Sequence, residues 1–246
     1  MVLNRSGRSP FLLLGDHAGR AIPANLGDLG VSPADMDRHI AWDIGIAGVG
    51  AALAEALDAC VVRQTYSRLV IDCNRRPDAS DLAPAVSDGV AIPANAGLTD
   101  ADRAARLAEI HQPYQAAIAE LIVERLERGQ QTLLVSLHSF TPTLSGFSRP
   151  WLYGVLHRGD SALSDAMLSL LRTAFREQAG DNQPYAMDSR DNTIPLHADR
   201  NGLDYLELEI RQDLIGNAAG QAKAAALFAD LLPRALAALP PPEPGR

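Results

Sequence analysis

The alternation of apolar and polar positions divides the chain into short buried runs separated by amphipathic stretches. Phe11–Gly15 (FLLLG) follows Pro10 and is too short for a helix, so it predicts a buried strand. Ser32-Pro33 opens a short helix, with serine as N-cap and proline in the first turn. From Asp43 to about Ala59 the spacing is helical and Ala/Leu-rich, with Asp43 expected in the first turn, where the helix dipole favours an anion. Val61–Gln64 and Leu69–Cys73 read as two more strands. Arg75–Gly97 is rich in Pro, Asp, Ser and Gly without a period, the mark of a functional or disordered loop. A long helix is expected from Thr99 to Gly129, kinked or broken near Pro113. Gln131–Leu137 predicts a buried strand with His138 directly at its end, and Leu152–Leu156 and Asp204–Ile210 predict two further strands. Ser161–Gln178 and Ala218–Leu239 read as helices, the second followed by a Pro-rich tail, 240–246, expected to be disordered.

Strands alternating with helices imply an α/β fold of three layers, with a mostly parallel, mixed central sheet covered on both faces. No internal repeat or linker divides the chain, so residues 1–239 are expected to form one domain. At 246 residues and 47% hydrophobic content the chain can bury such a core. With aromatics at 5%, that core rests on Ala, Leu, Ile and Val. A net charge of −8 argues against a nucleic-acid partner but leaves room for a locally positive pocket. The two cysteines, Cys60 and Cys73, sit in apolar surroundings and read as core residues, not as a disulfide or zinc framework. The sequence has neither a signal-peptide pattern nor an apolar stretch long enough for a bilayer, so no membrane partner and a cytoplasmic location are expected.

In an open α/β sheet, ligands collect beyond the carboxyl ends of the strands. His17 lies past the first strand and Asp72, Asn74 and Arg75 at the end of the third. His138 and Ser139 lie past the central strand, and Glu209 and Arg211 at the end of the last. Two imidazoles and a carboxylate make a metal site that activates water and polarises a carbonyl. Asp16 and Asp43 both compete for the carboxylate position, and His39 would share a face with Asp43 if HIAWD were helical. Capping of a helix accounts for Asp43 equally well. In LELEI, Glu207 and Glu209 point to the same face; either they are surface acids of an edge strand or Glu209 is a general base. Arg68, Arg75 and Arg211 supply cations at the same edge, suited to a substrate carboxylate or an oxyanion. His157, Tyr185 and His197 fall on polar loops that either line the pocket or lie on the surface.

GDHAGRAIP, HIAWD, YSRLVIDCNRRPD, LHSFTP and YLELEIRQDLI together resemble the N-formylglutamate amidohydrolase family, a fold relative of the zinc carboxypeptidases. The resemblance runs from about residue 11 to residue 236. It implies one zinc ion held by His17 and His138, Glu209 as general base, Asn74 and Arg75 on the substrate α-carboxylate, and Arg68 supporting the oxyanion. Carboxypeptidases carry an acidic ligand three residues after the first histidine; here Arg20 stands there, and Asp43 is taken as third ligand with His39 as its rival. His17-Ala18-Gly19 also departs from the commoner histidine-serine-glycine form, which loosens the substrate assignment more than the metal assignment. The implied activity is hydrolysis of an N-formyl or other N-acyl amino acid, with N-formyl-L-glutamate as the named candidate. A carboxypeptidase-like or broader acylase activity and a non-catalytic binding domain are the rival readings. All of them require His17 and His138 to converge.

Overall fold

The apolar runs pair into one seven-stranded sheet in the computed structural model, which describes residues 1–239; the tail expected at 240–246 lies outside the described residues. The strands are β1 (Val2–Leu3), β2 (Phe11–Gly15), β3 (Cys60–Arg63), β4 (Leu133–Phe140), β5 (Tyr153–Leu156), β6 (Ala179–Asp181) and β7 (Tyr205–Arg211). Their order across the sheet is β1-β3-β2-β4-β7-β5-β6. Strands β3, β2, β4 and β7 run parallel, whereas β5 is antiparallel to β7 and β1 is antiparallel to β3. The sheet is therefore mixed, with a parallel centre.

Six longer helices cover its two faces: α1 (Ile46–Leu57), α2 (Asp100–Arg106), α3 (Gln112–Glu127), α4 (Ala162–Phe175), α5 (Thr193–Asn201) and α6 (Ala218–Ala237). Side chains alternate across a strand, so β2 feeds both layers. Phe11 and Leu13 pack with Val49 and Leu53 of α1, Met167 of α4 and Phe228 of α6. Leu12 and Leu14 join Ile118 and Leu121 of α3 and Ile194 of α5. On β4 and β7 the second face carries polar residues instead: Ser136 and His138 beside Glu207 and Glu209. Both cysteines are buried and free.

Several expectations are corrected. Leu69–Cys73 is not a strand: β1 occupies the position beside β3, and residues 69–73 fold back through turns while staying buried in the α3 layer. Their apolar run reflects burial, which periodicity alone does not separate from pairing. Asp43 is not in a helical first turn. Gly45 adopts φ +86°, a side chain there would strike the Ile215 carbonyl, and α1 starts only at Ile46. His138 does not follow its strand but lies within it, since β4 continues to Phe140. The long helix from Thr99 breaks into α2, a π turn at Leu107–His111 and α3, because Pro113 supplies no amide hydrogen to the helical ladder. Helix α5 was not anticipated, and it makes His197 a buried helical residue, not a loop residue.

His197 donates from Nε2 to Gln115 Oε1 at 2.8 Å, and burial lowers its imidazole from 6.5 to about 4. Between those values the unfolded chain takes up a proton that the folded chain refuses, so this contribution to stability is intact above pH 6.5 and is lost as pH falls toward 4. His197→Gln keeps a donor and removes the titration. Thermal melts across that range are expected to show a shallower acid loss for the variant than for the parent; parallel curves count against the assignment.

Candidate active site

His17 follows β2, and its carbonyl accepts the Asp43 amide hydrogen at 2.8 Å, which fastens the loop before α1 to the end of that strand. The Asp43 carboxylate then turns inward. Its Oδ2 lies 3.0 Å from His138 Nδ1 and 3.6 Å from His17 Nδ1, and it accepts the Ser139 amide hydrogen at 3.2 Å. The two imidazole rings stand edge-on with centroids 5.0 Å apart. His17, Asp43 and His138 each offer a ligand atom, and these atoms lie within 4.8 Å of one another.

Each histidine is held from behind by another acid. His17 Nε2 meets Asp72 Oδ1 at 2.7 Å, and Asp72 is itself fixed by the Asn74 amide hydrogen at 2.8 Å. His138 Nε2 lies 3.0 Å from Ser136 Oγ and 3.5 Å from Asp16 Oδ2. Asp16 accepts from Thr193 Oγ1 at 2.6 Å, and Thr193 accepts from Gln115, which links the site to α5 and His197. A carboxylate behind each ring sets the tautomer that presents Nδ1 to a metal. His17 Nδ1 is buried with no hydrogen-bond partner among the described residues, as expected of a nitrogen shaped for an ion. These residues fit a divalent cation.

Electrostatics separate the two rings. Burial, aided by the Arg68 cation, lowers His17 to about 4 despite Asp72. Burial also opposes charge on His138, but Asp16, Glu207 and Glu209 outweigh it and raise the ring to about 9. Burial works against the Asp72 carboxylate too, yet His17 and Arg75 hold it far below the usual carboxylate range. Desolvation pushes Glu209 up and takes Glu207 to about 8.

The parallel register sets Glu209 opposite His138 and Glu207 opposite Ser136. Both acids face a cavity of about 210 Å³, and β7 is an interior strand, not the surface edge that alternation alone allowed. Gly154 on β5, opposite Glu209, leaves space for the Gln183 carbonyl, which a β-carbon there would strike. The far wall is formed by Tyr185, Ala186, Asp188, Arg190 and Asp191; of the two readings of Tyr185 the pocket-lining one holds, whereas the other four carried no signal in the sequence, and Arg149 stacks over the Tyr185 ring at 4.7 Å.

Of the remaining expected residues, Arg68, Asn74 and Arg75 line the cavity. Arg68 forms an ion pair with Asp43. The Asn74 side-chain oxygen accepts the amide hydrogens of Asn192 and Thr193 at 3.1 and 3.0 Å, so it also caps the start of α5. Arg75 reaches Asp81 at 3.1 Å and Asp191 at 3.7 Å. His39 lines the cavity but lies 3.9 Å from Asp88 and outside the three-residue ligand group. Arg211 is not brought in: its guanidinium pairs with Asp213 at 2.8 Å and reaches the carbonyls of Arg149 and Trp151. His157 also lies elsewhere, paired with Asp181.

The model of the N-formylglutamate amidohydrolase family matches residues 9–216. The chain belongs to that family. A solved gene product of Agrobacterium tumefaciens is 38% identical and superposes with a TM-score of 0.93, over 96% of this chain and 94% of its own. The N-formylglutamate amidohydrolase of Ralstonia eutropha shares the fold at a TM-score of 0.66 and 19% identity, over 93% of each chain. No curated protein matches the chain. As an amidohydrolase of this family it has a small-molecule-sized cavity, and among the described residues no helix is long and apolar enough to cross a membrane.

Proposed function

We propose that the protein is a zinc-dependent amidohydrolase that cleaves the amide bond of an N-formyl or other N-acyl amino acid. The observation that carries this reading is the convergence of His17 Nδ1, His138 Nδ1 and Asp43 Oδ2 beside Glu209, a buried carboxyl whose Oε2 has no hydrogen-bond partner among the described residues. The cavity volume supports a small substrate, since it falls below the ~300–1,000 Å³ usual for drug-sized ligands. The family description and the name of the Ralstonia enzyme make N-formylglutamate the first compound to test.

In this reading His17, Asp43 and His138 hold the ion. When bound, zinc polarises the acyl carbonyl and makes water acidic enough to attack near neutral pH. Glu209, raised by burial above an ordinary carboxylate, takes the proton from the attacking water and passes it to the leaving nitrogen. Arg68, tied to Asp43, lends positive charge where the oxyanion develops. Arg75 anchors the substrate carboxylate through its guanidinium fork. Asp72 and Asp16 keep the two rings aimed at the shared position.

The test is elemental analysis of the purified protein, paired with formate release from a panel of N-formyl amino acids. A divalent metal at one per chain with formate release is expected; protein that binds no metal and releases none from any member refutes the proposal. Arg75→Ala should raise KM for carboxylate substrates by roughly 10–100-fold, the range of a charged hydrogen bond, with a smaller change in kcat. A wild-type KM removes Arg75 as the anchor.

A further inference from the structure

The charges lining the cavity are unevenly satisfied. Arg68 pairs with Asp43, Arg75 with Asp81 and Asp191, and Arg190 with Asp188. Glu207 has no such partner. It is 3% exposed, lines the cavity, forms no salt bridge or hydrogen bond with any described residue, and its Oε2 is buried without a donor. A buried carboxyl left without a donor is costly, so the side chain is poorly explained as packing.

Register gives Glu207 its place. It sits one pleat below Glu209 on the same face of β7, with Ser136 of β4 on one side and Leu156 of β5 on the other. If Glu209 faces the scissile carbonyl and Arg75 holds the α-carboxylate, the substituent left to enter the floor is the amino-acid side chain. Leu156 offers that side chain an apolar wall, and Glu207 offers its end an acceptor.

Building on the amidohydrolase reading above, we propose that Glu207 selects substrates whose side chain ends in a cation, an ammonium or guanidinium on a short methylene stem. The preferred class is thus an N-acyl basic amino acid, ahead of N-formylglutamate.

The test is calorimetric titration of the metal-loaded Glu209→Gln protein with N-formyl-lysine, N-formylarginine and N-formylglutamate, which reads binding whether or not turnover occurs. The basic ligands should bind roughly 10–100-fold more tightly than N-formylglutamate, the worth of one charge-assisted hydrogen bond. Adding Glu207→Gln, which keeps the shape, should bring the affinities together. Equal or tighter binding of N-formylglutamate, no binding of either basic ligand, or a preference untouched by Glu207→Gln each overturns the proposal. Formate release by the wild-type enzyme is measured separately. A basic preference without formate release supports the selectivity and refutes only the hydrolytic reading.

Discussion

Glu209→Gln is expected to lower kcat by roughly 10²–10⁴-fold, the range associated with loss of a general base. Glutamine has nearly the same shape but cannot take a proton. Glu209 stands opposite His138 in the register, faces the cavity and spends neither oxygen on a structural hydrogen bond. The substitution therefore removes an unpartnered acid without breaking a contact, and thermal stability should hold or rise slightly. Metal content should also hold, because the proposed ligand set, His17, Asp43 and His138, does not include Glu209. Rate, metal content and melting temperature measured on one preparation check all three statements. A variant with the parent rate takes Glu209 out of the chemistry.

His138→Ala should abolish retention of the metal. His138 brings Nδ1 to 3.0 Å from Asp43 while Ser136 and Asp16 hold the far nitrogen, so the ring is oriented before any ion arrives. Alanine deletes the proposed ligand and also removes the ring that faces Asp16, Glu207 and Glu209. Metal content after gel filtration should fall to background. Asp72→Asn provides the graded comparison: it leaves His17 in place, weakens the bond that orients it, and should cost roughly 10–100-fold in metal affinity. Wild-type metal content in a folded His138→Ala protein would sink the assignment.

Much of this geometry was readable along the chain because β-structure has a short period. Alternation in LELEI placed Glu207 and Glu209 on one face, and the apolar run before His17 marked a strand end that faces a ligand crevice. The rule that ligands gather at carboxyl ends of parallel strands then drew His17, His138 and Glu209 to one edge; Arg75 also lines the cavity, but the strand expected to carry it there is absent among the described residues. The same rule misled for Arg211: alternation sets it on the face of Glu209, but at the strand end its guanidinium is taken by Asp213 and by the carbonyls of Arg149 and Trp151.

The third ligand shows where local pattern stops. His39 and Asp43 were rivals in HIAWD, and no spacing rule separates them. The choice depends on Gly45 delaying α1, on the His17 carbonyl capturing the Asp43 amide, and on Ser139 presenting its own amide from a strand far along the chain. Asp72 and Asp16 became partners of the two rings in the same way, through contacts between segments distant in sequence.

Periodicity along the chain thus determined which residues could be strands, which faces they offered and which polar groups stood near their ends, because alternation is a property of neighbours in sequence. Tertiary structure alone decided that β1 takes the place beside β3 expected of Leu69–Cys73, that an unanticipated helix starting at Thr193 reaches Asp16 behind the His138 ring, and that one carboxylate meets two imidazoles. Those outcomes depend on competition among distant segments for the same partners, and the free energy of such pairings is set only when the chain is folded.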